Sequence, residues 1–523
     1  MTTNRKLIRS TGIIGFATSS SRILGFLRDI LFAKLFGTNI YAQAFVVAFR
    51  IPNMLRDMVG EGATNAAIVP VLTEYRHRSS EEEYWAAARV ILNIMLLVLA
   101  VLSVVGVVFA PVIVRLIAPG FLEDPEKFSS AVFLTRMITP YLVFLGVIAY
   151  SKGVLNSFHR FAAPAFAPVI LNIAMIAAIM FLCPVMGIHG MVIGVIVGGI
   201  LQVAAQVPSL YRVGLRLSGK IRFMHPIAKR IGKLLLPRIL GTAVYQISVF
   251  IDTVLASLGW IVGAGGVAAL YYSHRLIHLP LAVFGISLAT AVLPRMSKEA
   301  ASGKMDDLKG TISFSLNAIF VVMIPAAVGL IILAEPLVRV LFQRGEFTAY
   351  STMITSGALF YYAFGLFAYA GIKILVNAYY SMGDTRTPVR TAAIALGVNV
   401  VLNLILMWPL KIGGLALATA VAATANFIML YVSLVRRIGD IGTRSILKGI
   451  LRVFAAAFVM GLATYVSKSM FLAGDVSGLR GIAIIMGTVI VSALVYLGAA
   501  HMTGVEGVRK VAGMLIAWKG QRQ

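Results

Sequence analysis

Residues 91 to 110, ILNIMLLVLAVLSVVGVVFA, contain no charged side chain and decide the class of this fold. A helix of this length crosses a hydrocarbon core roughly 30 Å thick. Similar apolar runs recur along the whole 523-residue chain, with no soluble stretch between them long enough to form a domain. We count 14 runs, near 12–36, 41–69, 86–117, 131–156, 163–184, 187–211, 234–258, 266–293, 311–334, 350–380, 388–408, 412–435, 446–467 and 480–503. The sequence predicts an all-α polytopic membrane protein with 14 transmembrane helices.

The net charge of +26 would indicate nucleic-acid binding in a soluble protein, but only 13% of this chain is charged and 59% is hydrophobic. Cytoplasmic loops of membrane proteins are rich in Lys and Arg, and a cytoplasmic N-terminus accounts for most of the excess. We therefore predict a multi-pass protein of a bacterial inner (plasma) membrane with no nucleic-acid partner. The single cysteine, Cys183, excludes an intrachain disulfide, and no cleavage site follows the basic N-terminus, so we expect the first span to be retained.

The two halves of the chain contain similar motifs in the same order, at an offset of about 220 residues. The matched pairs are RILG at 22–25 and 238–241, FRIPNM at 49–54 and HRLIHLP at 274–280, VPVLTEY at 69–75 and LPRMSKEA at 293–300, APVIVRLIAPGF at 110–121 and AEPLVRVLFQRGEF at 334–347, and KGVLNSF at 152–158 and KILVNAYY at 373–380. An even number of spans in each copy gives both copies the same orientation in the membrane, which is a parallel repeat.

This repeat predicts two six-helix lobes and a further helix pair. The N-terminal lobe, 1–211, holds spans 1 to 6, and a basic cytoplasmic linker follows at 212–238. The C-terminal lobe, 239–437, holds spans 7 to 12, and 438–523 contains spans 13 and 14 and a cytoplasmic tail. Two facing lobes suit alternating access, in which a central site opens first to one side of the membrane and then to the other.

Charged side chains inside the predicted spans need a functional or structural reason, because an arginine at the bilayer centre costs roughly 2.5 to 3.5 kcal/mol. The cations outnumber the acids: Arg22, Arg28, Arg50, Arg56 and Arg275 against Asp29, Asp57, Glu61 and Asp252. A water-filled, positively charged cavity would lower this cost and attract an anion. Arginine binds phosphate through two parallel hydrogen bonds, so we expect an anionic cargo that carries phosphate.

Structural explanations stay open beside this one. Arg22 and Asp29 can pair with each other, and Arg56 can pair with Asp57 or Glu61. Arg50 lies near a predicted span end, where its side chain can reach the membrane interface. His274 and His278 can be hydrogen-bonded helix residues and not proton carriers.

The blocks SRILGFLRD, FRIPNMLR, GEGATNAAIVPVLTEY, YYSHRLIHLPLAVFGISLATAVLP, LFQRGEF and SMGDTRTPV resemble those of the MurJ (MviN) lipid II flippases, within the multidrug/oligosaccharidyl-lipid/polysaccharide exporter superfamily. The resemblance covers spans 1 to 12, and the last two spans fit the extra C-terminal pair of this family. It implies a flippase that moves lipid II, the undecaprenyl-pyrophosphate-linked peptidoglycan precursor, from the cytoplasmic to the periplasmic leaflet. It also implies membrane lipids and cell-wall synthesis proteins as partners, and no enzymatic activity. The substrate-binding residues that it implies are Arg22, Arg28, Asp29, Arg56, Glu61 and Arg275.

Three positions depart from the family pattern. Gln43 and His274 stand where the family usually has acids, and His278 lies where an acid is common. The coupling ion is therefore open. Oxygen donors that could meet to hold a sodium ion are Asp252, Asn399, Asn403 and Thr419, and a hydrogen-bonded helix-packing cluster is the alternative.

Other function classes predict other residues. An exporter of another anionic lipid-linked glycan would need the same cations, whereas a drug or cation exporter would need acids in the cavity. A membrane-embedded glycan enzyme would need paired carboxylates or a metal site, and Glu123, Asp124 and Glu126 are more typical of a solvated loop. The sequence contains no Gly-rich phosphate-binding loop of the kind that would indicate ATP hydrolysis.

Overall fold

The computed structural model describes residues 3–58, 64, 67–216, 226–472 and 478–505, with only the backbone described for 3–11 and 236–243. Every regular element in these ranges is a helix, so the predicted all-α class is confirmed. Backbone contacts divide the chain into two compact units, Met1–Leu258 and Gly259–Gln523. The predicted lobes 1–211 and 239–437 stay a prediction, and part of the predicted linker (217–225) and the tail from 506 lie outside the described residues.

The described part of the first unit contains eleven helices. They are α1 Thr3–Phe36, α2 Ile40–Leu55, α3 Val69–Arg78, α4 Glu81–Val108, α5 Ala110–Ile117, α6 Pro125–Ile138, α7 Tyr141–Ser157, α8 Ala162–Ala177, α9 Cys183–Met186, α10 Ile188–Arg212 and α11 Pro226–Ser257. A 3₁₀ turn, Pro119–Glu123, precedes α6, and a π-helical turn, Ala178–Leu182, follows α8. Ser80 begins α4 with a capping box, in which its hydroxyl and the Glu83 carboxylate each bind the other residue's backbone N–H.

The second unit contains ten helices in its described residues. They are α12 Gly259–Val262, α13 Gly266–Pro280, α14 Ser287–Ala301, α15 Met305–Phe342, α16 Ala349–Ala363, α17 Leu366–Ser381, α18 Arg386–Leu410, α19 Ile412–Ile438, α20 Thr443–Phe471 and α21 Gly478–Met502. The π-helical turn Leu281–Ile286 follows α13 directly after Pro280. In the first unit, π-helical turns at 56–58 likewise follow the proline-containing end of α2.

Ten of the described helical segments are long and apolar enough to cross a membrane. Helices α16 and α17 meet at a bend of 47° and raise this number to eleven if they form one span, as the predicted run 350–380 does. The protein is therefore a multi-pass membrane protein, and the predicted count of 14 spans stays a prediction. Val244–Ser257 of α11 is a shorter apolar segment.

The two final helices form a pair that packs on α15. Thr464 of α20 donates a hydrogen bond to Ser492 of α21 over 2.8 Å. Tyr496 of α21 and Lys468 of α20 donate to carbonyl oxygens of α15, at 2.7 and 3.1 Å respectively. These contacts attach the predicted C-terminal pair to the rest of the second unit.

Helices α18 and α19 are joined at one end by a very close turn. A Cβ atom on Gly414 would lie only 2.1 Å from the carbonyl oxygen of Leu406, so no larger residue fits there without moving the backbone. Lys411, between the two helices, has a φ of 53°, a left-handed conformation that is uncommon outside glycine. The strained Lys411 conformation and the small Gly414 together allow the two helices to pack closely against each other.

Asp384 ties the loop before α18 to the end of α19. Its carboxylate accepts hydrogen bonds from the backbone N–H groups of Arg386 and Thr387 and from the Thr387 hydroxyl, and it forms an ion pair with Arg437. Burial alone would raise the pKa of Asp384, but the hydrogen bonds and the Arg437 guanidinium together hold this pKa below its usual value.

Candidate functional site

Arg28 is a buried cation of α1. Its side chain is 9% exposed, and its Nε and Nη2 atoms both donate to Oδ1 of Asp29, at 3.0 and 2.7 Å. Its Nη1 atom donates to Oδ1 of Asn172 on α8 over 3.1 Å and lies 3.6 Å from the Met175 sulfur. One guanidinium therefore links α1 to α8, and it is held in place by a carboxylate and an amide.

Asn172 was not a predicted site residue, although it is a polar side chain within the apolar run of α8. Its Nδ2 atom donates to the backbone oxygen of Ser21 over 3.0 Å, so it binds α1 on both sides of Gly25. A Cβ on Gly25 would lie 3.5 Å from the Asn172 amide, at ordinary van der Waals distance. The amide of Asn172 thus fixes the stretch of α1 that bears Arg22 and Arg28.

Arg22 lies on the same helix with an exposed side chain. The Asp29 carboxylate pairs with Arg28 through its Oδ1 atom, which differs from the Arg22–Asp29 pairing that the sequence left open. An exposed guanidinium at this position is available to an anion in a way that the side chain of Arg28 is not.

The predicted residues around the end of α2 are less buried. Arg56 and Asp57 form an ion pair at 3.2 Å, with side chains 42% and 41% exposed. Exposed pairs of this kind contribute little to stability. Arg50 donates from Nη2 to the Thr253 hydroxyl of α11 over 2.7 Å, and Glu61 lies outside the described residues. The pairing of Arg56 with its own neighbour is the structural alternative that the sequence left open.

Gln43 lies at a position where the sequence resemblance expects an acid. It is only 3% exposed, and its Nε2 atom donates to the backbone oxygen of Thr38 over 3.2 Å. This amide closes the turn that leads into α2. An amide donor suits a carbonyl acceptor, which a carboxylate would repel.

In the second unit, Arg275 lies on α13 with an exposed side chain. Its guanidinium stacks 5.0 Å from the centre of the Tyr271 ring, and its Nη2 atom donates to the Tyr271 hydroxyl over 3.1 Å. His274 and His278 flank it on the same helix, with ring centres 4.2 Å apart. This helix therefore presents one cation and two imidazoles within a single turn.

The predicted sodium ligands divide between the units. Asp252 belongs to α11 in the first unit, whereas Asn399, Asn403 and Thr419 meet in the second. Nδ2 of Asn399 donates to the Thr419 hydroxyl, and Nδ2 of Asn403 donates to Oδ1 of Asn399, each over 3.2 Å. These two hydrogen bonds match the helix-packing cluster that the sequence offered as the alternative. Among the described residues, no cluster of three or more His, Cys, Asp or Glu side chains could hold a metal ion.

A cavity of about 420 Å³ in the first unit is not an anion site. It lies between α8 and α10 beside the π-helical turn, and its lining includes Ile173, Phe181 and Val197. Its walls are apolar and contain none of the predicted arginines. The cations discussed above are distributed over both units, and their assembly into one shared vestibule stays a prediction.

The chain matches the family model described as "Lipid II flippase MurJ" over residues 32–482. A probable lipid II flippase of Vibrio cholerae is 36% identical over 444 residues, covering 82% of this chain and 83% of the relative. A lipid II flippase of Burkholderia cenocepacia is 33% identical over 514 residues, covering 95% of this chain and 98% of the relative.

Solved structures agree with these sequence matches. A lipid II flippase in an inward closed conformation is similar with a TM-score of 0.79 and 28% identity, covering 94% of this chain and 98% of that one. An inward-facing multidrug transporter of the MATE family gives a TM-score of 0.65 over 81% of this chain and 96% of that one, and at 16% identity it shows a common fold alone. The resemblance drawn from the motifs is confirmed, and the chain belongs to the MurJ family of lipid II flippases.

Proposed function

We propose that this chain moves lipid II from the cytoplasmic to the periplasmic leaflet by alternating access. Membership of the flippase family supports the substrate. The single structural observation that carries the proposal is the pair of exposed guanidinium groups, Arg22 in the first unit and Arg275 in the second. Each guanidinium carries several N–H donors and can bind a diphosphate oxygen. The protein is a transporter and not an enzyme.

The membrane potential supplies a driving force for this direction. Moving one negative charge outward across an inside-negative membrane is favourable by about 2.3 kcal/mol per 100 mV. A doubly charged diphosphate would gain about twice that amount. A potassium diffusion potential can be imposed with valinomycin. We expect it to accelerate transfer of lipid II when the compartment from which lipid II departs is negative.

The inner membrane, the cytoplasmic N-terminus and binding to cell-wall synthesis proteins are part of the same proposal. The excess of Lys and Arg in the segments assigned to the cytoplasm supports this orientation. A sodium ion held by Asp252, Asn399, Asn403 and Thr419 also belongs to the proposal. It would need Thr419 and the asparagine amides to turn their oxygens toward the ion, at the expense of the hydrogen bonds that now join them.

Reconstitution into liposomes with labelled lipid II tests the function. Transfer between leaflets is measured for the wild-type chain and for Arg22→Ala and Arg275→Ala, with Arg115→Ala as the matched control because its side chain is exposed on α5. We expect normal folding of all variants and loss of transfer in the first two. Undiminished transfer in both would remove these arginines from the mechanism.

Export of another anionic lipid-linked glycan is the second candidate function, because its cargo would meet the same cations. Unlabelled lipid II and other lipid-linked sugars are added as competitors in the same liposomes. Selective competition by lipid II supports the first function. Equal competition by an unrelated lipid-linked sugar would instead favour a broader glycan exporter.

A further inference from the structure

The histidine pair of α13 has a geometry that its position in a helix does not require. His274 and His278 are four residues apart, so their side chains lie on one face. Their Nε2 atoms approach to 3.3 Å, and both side chains are half-buried. The two Nε2 atoms lie within hydrogen-bonding distance of each other, so each imidazole brings one nitrogen to the same place.

That separation matches a metal chelate. Zinc binds histidine nitrogen at about 2.0–2.1 Å, and two such bonds at a tetrahedral angle place the nitrogens about 3.3–3.4 Å apart. Imidazole suits zinc, copper and nickel, whereas magnesium, calcium and sodium prefer oxygen ligands. We propose that His274 and His278 together chelate one divalent transition-metal ion through their Nε2 atoms.

The surroundings of the pair allow a bound cation. The guanidinium of the intervening Arg275 is drawn toward Tyr271, one turn back along α13, by a hydrogen bond and by stacking. From the packed helix α16, the ring of Tyr362 lies 6.0 Å from that of His274. This neighbour is a phenol ring and not a cation.

The ligand count sets the character of this site. No third His, Cys, Asp or Glu joins the pair in the part of the chain that the structure describes. A structural zinc site is closed by four protein ligands, whereas a metal held by two imidazoles keeps positions for water or other oxygen ligands. The ion at this site is therefore exchangeable, and the protein folds without it.

The test is metal binding by purified protein that carries no histidine tag. Zinc is titrated in competition with a fluorescent chelator, for the wild-type chain and for His274→Ala and His278→Ala. Each substitution removes a direct ligand, and we expect the dissociation constant to rise more than about tenfold, since loss of even an outer partner costs that much. His189→Ala is the matched control, because this histidine packs against Phe133 in the first unit.

A second measurement keeps the test independent of variant folding. Pulsed electron paramagnetic resonance of the wild-type chain with one equivalent of copper(II) counts the coordinated imidazoles. Two coupled imidazole nitrogens in the wild type, and one in each single variant, support the site. Absence of a two-imidazole signal, or equal zinc affinity in all four proteins, would overturn it. Neither readout depends on lipid II transfer, so this inference and the proposed function stand or fall separately.

Discussion

The buried pair of Arg28 and Asp29 makes a measurable prediction about stability. The side chains are 9% and 2% exposed, and a single carboxylate oxygen accepts two guanidinium N–H groups. Replacing Asp29 with leucine would leave Arg28 buried, with its hydrogen bond to the Asn172 side-chain oxygen still in place. Removal of one member of a buried pair costs roughly 3–5 kcal/mol, and we expect the lower end because Asn172 remains.

The double substitution should be far milder than the single ones. Arg28→Leu leaves a buried carboxylate and costs about as much as Asp29→Leu, whereas replacement of both removes both charges together. A double-mutant cycle should therefore give a coupling energy of at least about 3 kcal/mol. The matched control is the pair Arg56 and Asp57, joined at 3.2 Å but about two-fifths exposed, for which we expect a coupling of less than about 1 kcal/mol.

Unfolding in mixed micelles by titration with a denaturing detergent, followed by tryptophan fluorescence, measures all of these variants. Transfer of lipid II is measured in parallel, because the Arg28→Leu/Asp29→Leu chain should fold and yet fail to transport. A coupling energy below about 1 kcal/mol for the buried pair would refute the reasoning. It would mean that water reaches Arg28 and replaces the carboxylate.

Two further predictions concern stability alone. Gly414→Ala should lower the free energy of unfolding by about 2 kcal/mol or more, because its Cβ would lie 2.1 Å from the Leu406 carbonyl oxygen. The control Gly397→Ala has open space around it and should be neutral or stabilising, and thermal unfolding measures both variants. The pKa of Asp384 is lowered in the fold, since its hydrogen bonds and Arg437 outweigh burial, so its stabilising effect should be present above the usual aspartate pKa of about 3.9 and disappear as the pH falls below it. Thermal unfolding of wild type and Asp384→Asn against pH measures this, and a difference that grows on acidification would contradict it.

The sequence predicts the class of the fold better than it predicts which side chains contact one another within the fold. Uninterrupted apolar runs such as 91–110 predict membrane helices. The hydrocarbon core holds no water, so the backbone N–H and C=O groups must bind one another, as they do within a helix. The partners of Arg28 are not predictable in the same way. Asp29 is its neighbour in the chain, but Asn172 lies 144 residues away, and helical periodicity carries no information about which helices meet.

The candidate site shows the same division. The motifs identified the residues on α1 and α13, and charge alone indicated an anionic cargo. They could not distinguish a guanidinium locked in an ion pair, as in Arg28, from an exposed one, as in Arg22. That distinction depends on packing between helices, and the oxygen donors on α18 and α19 likewise needed a structure to reveal that they bind one another.

The widened turn Leu281–Ile286 has a mechanical consequence for the residues before it. Pro280 offers no N–H to the preceding turn, and the wider backbone loops after it are held less regularly than those of an α-helix. Torsional stiffness therefore falls at this point of the span Gly266–Ala301. A twist at this turn would change the direction of the Arg275 guanidinium on α13 relative to α14.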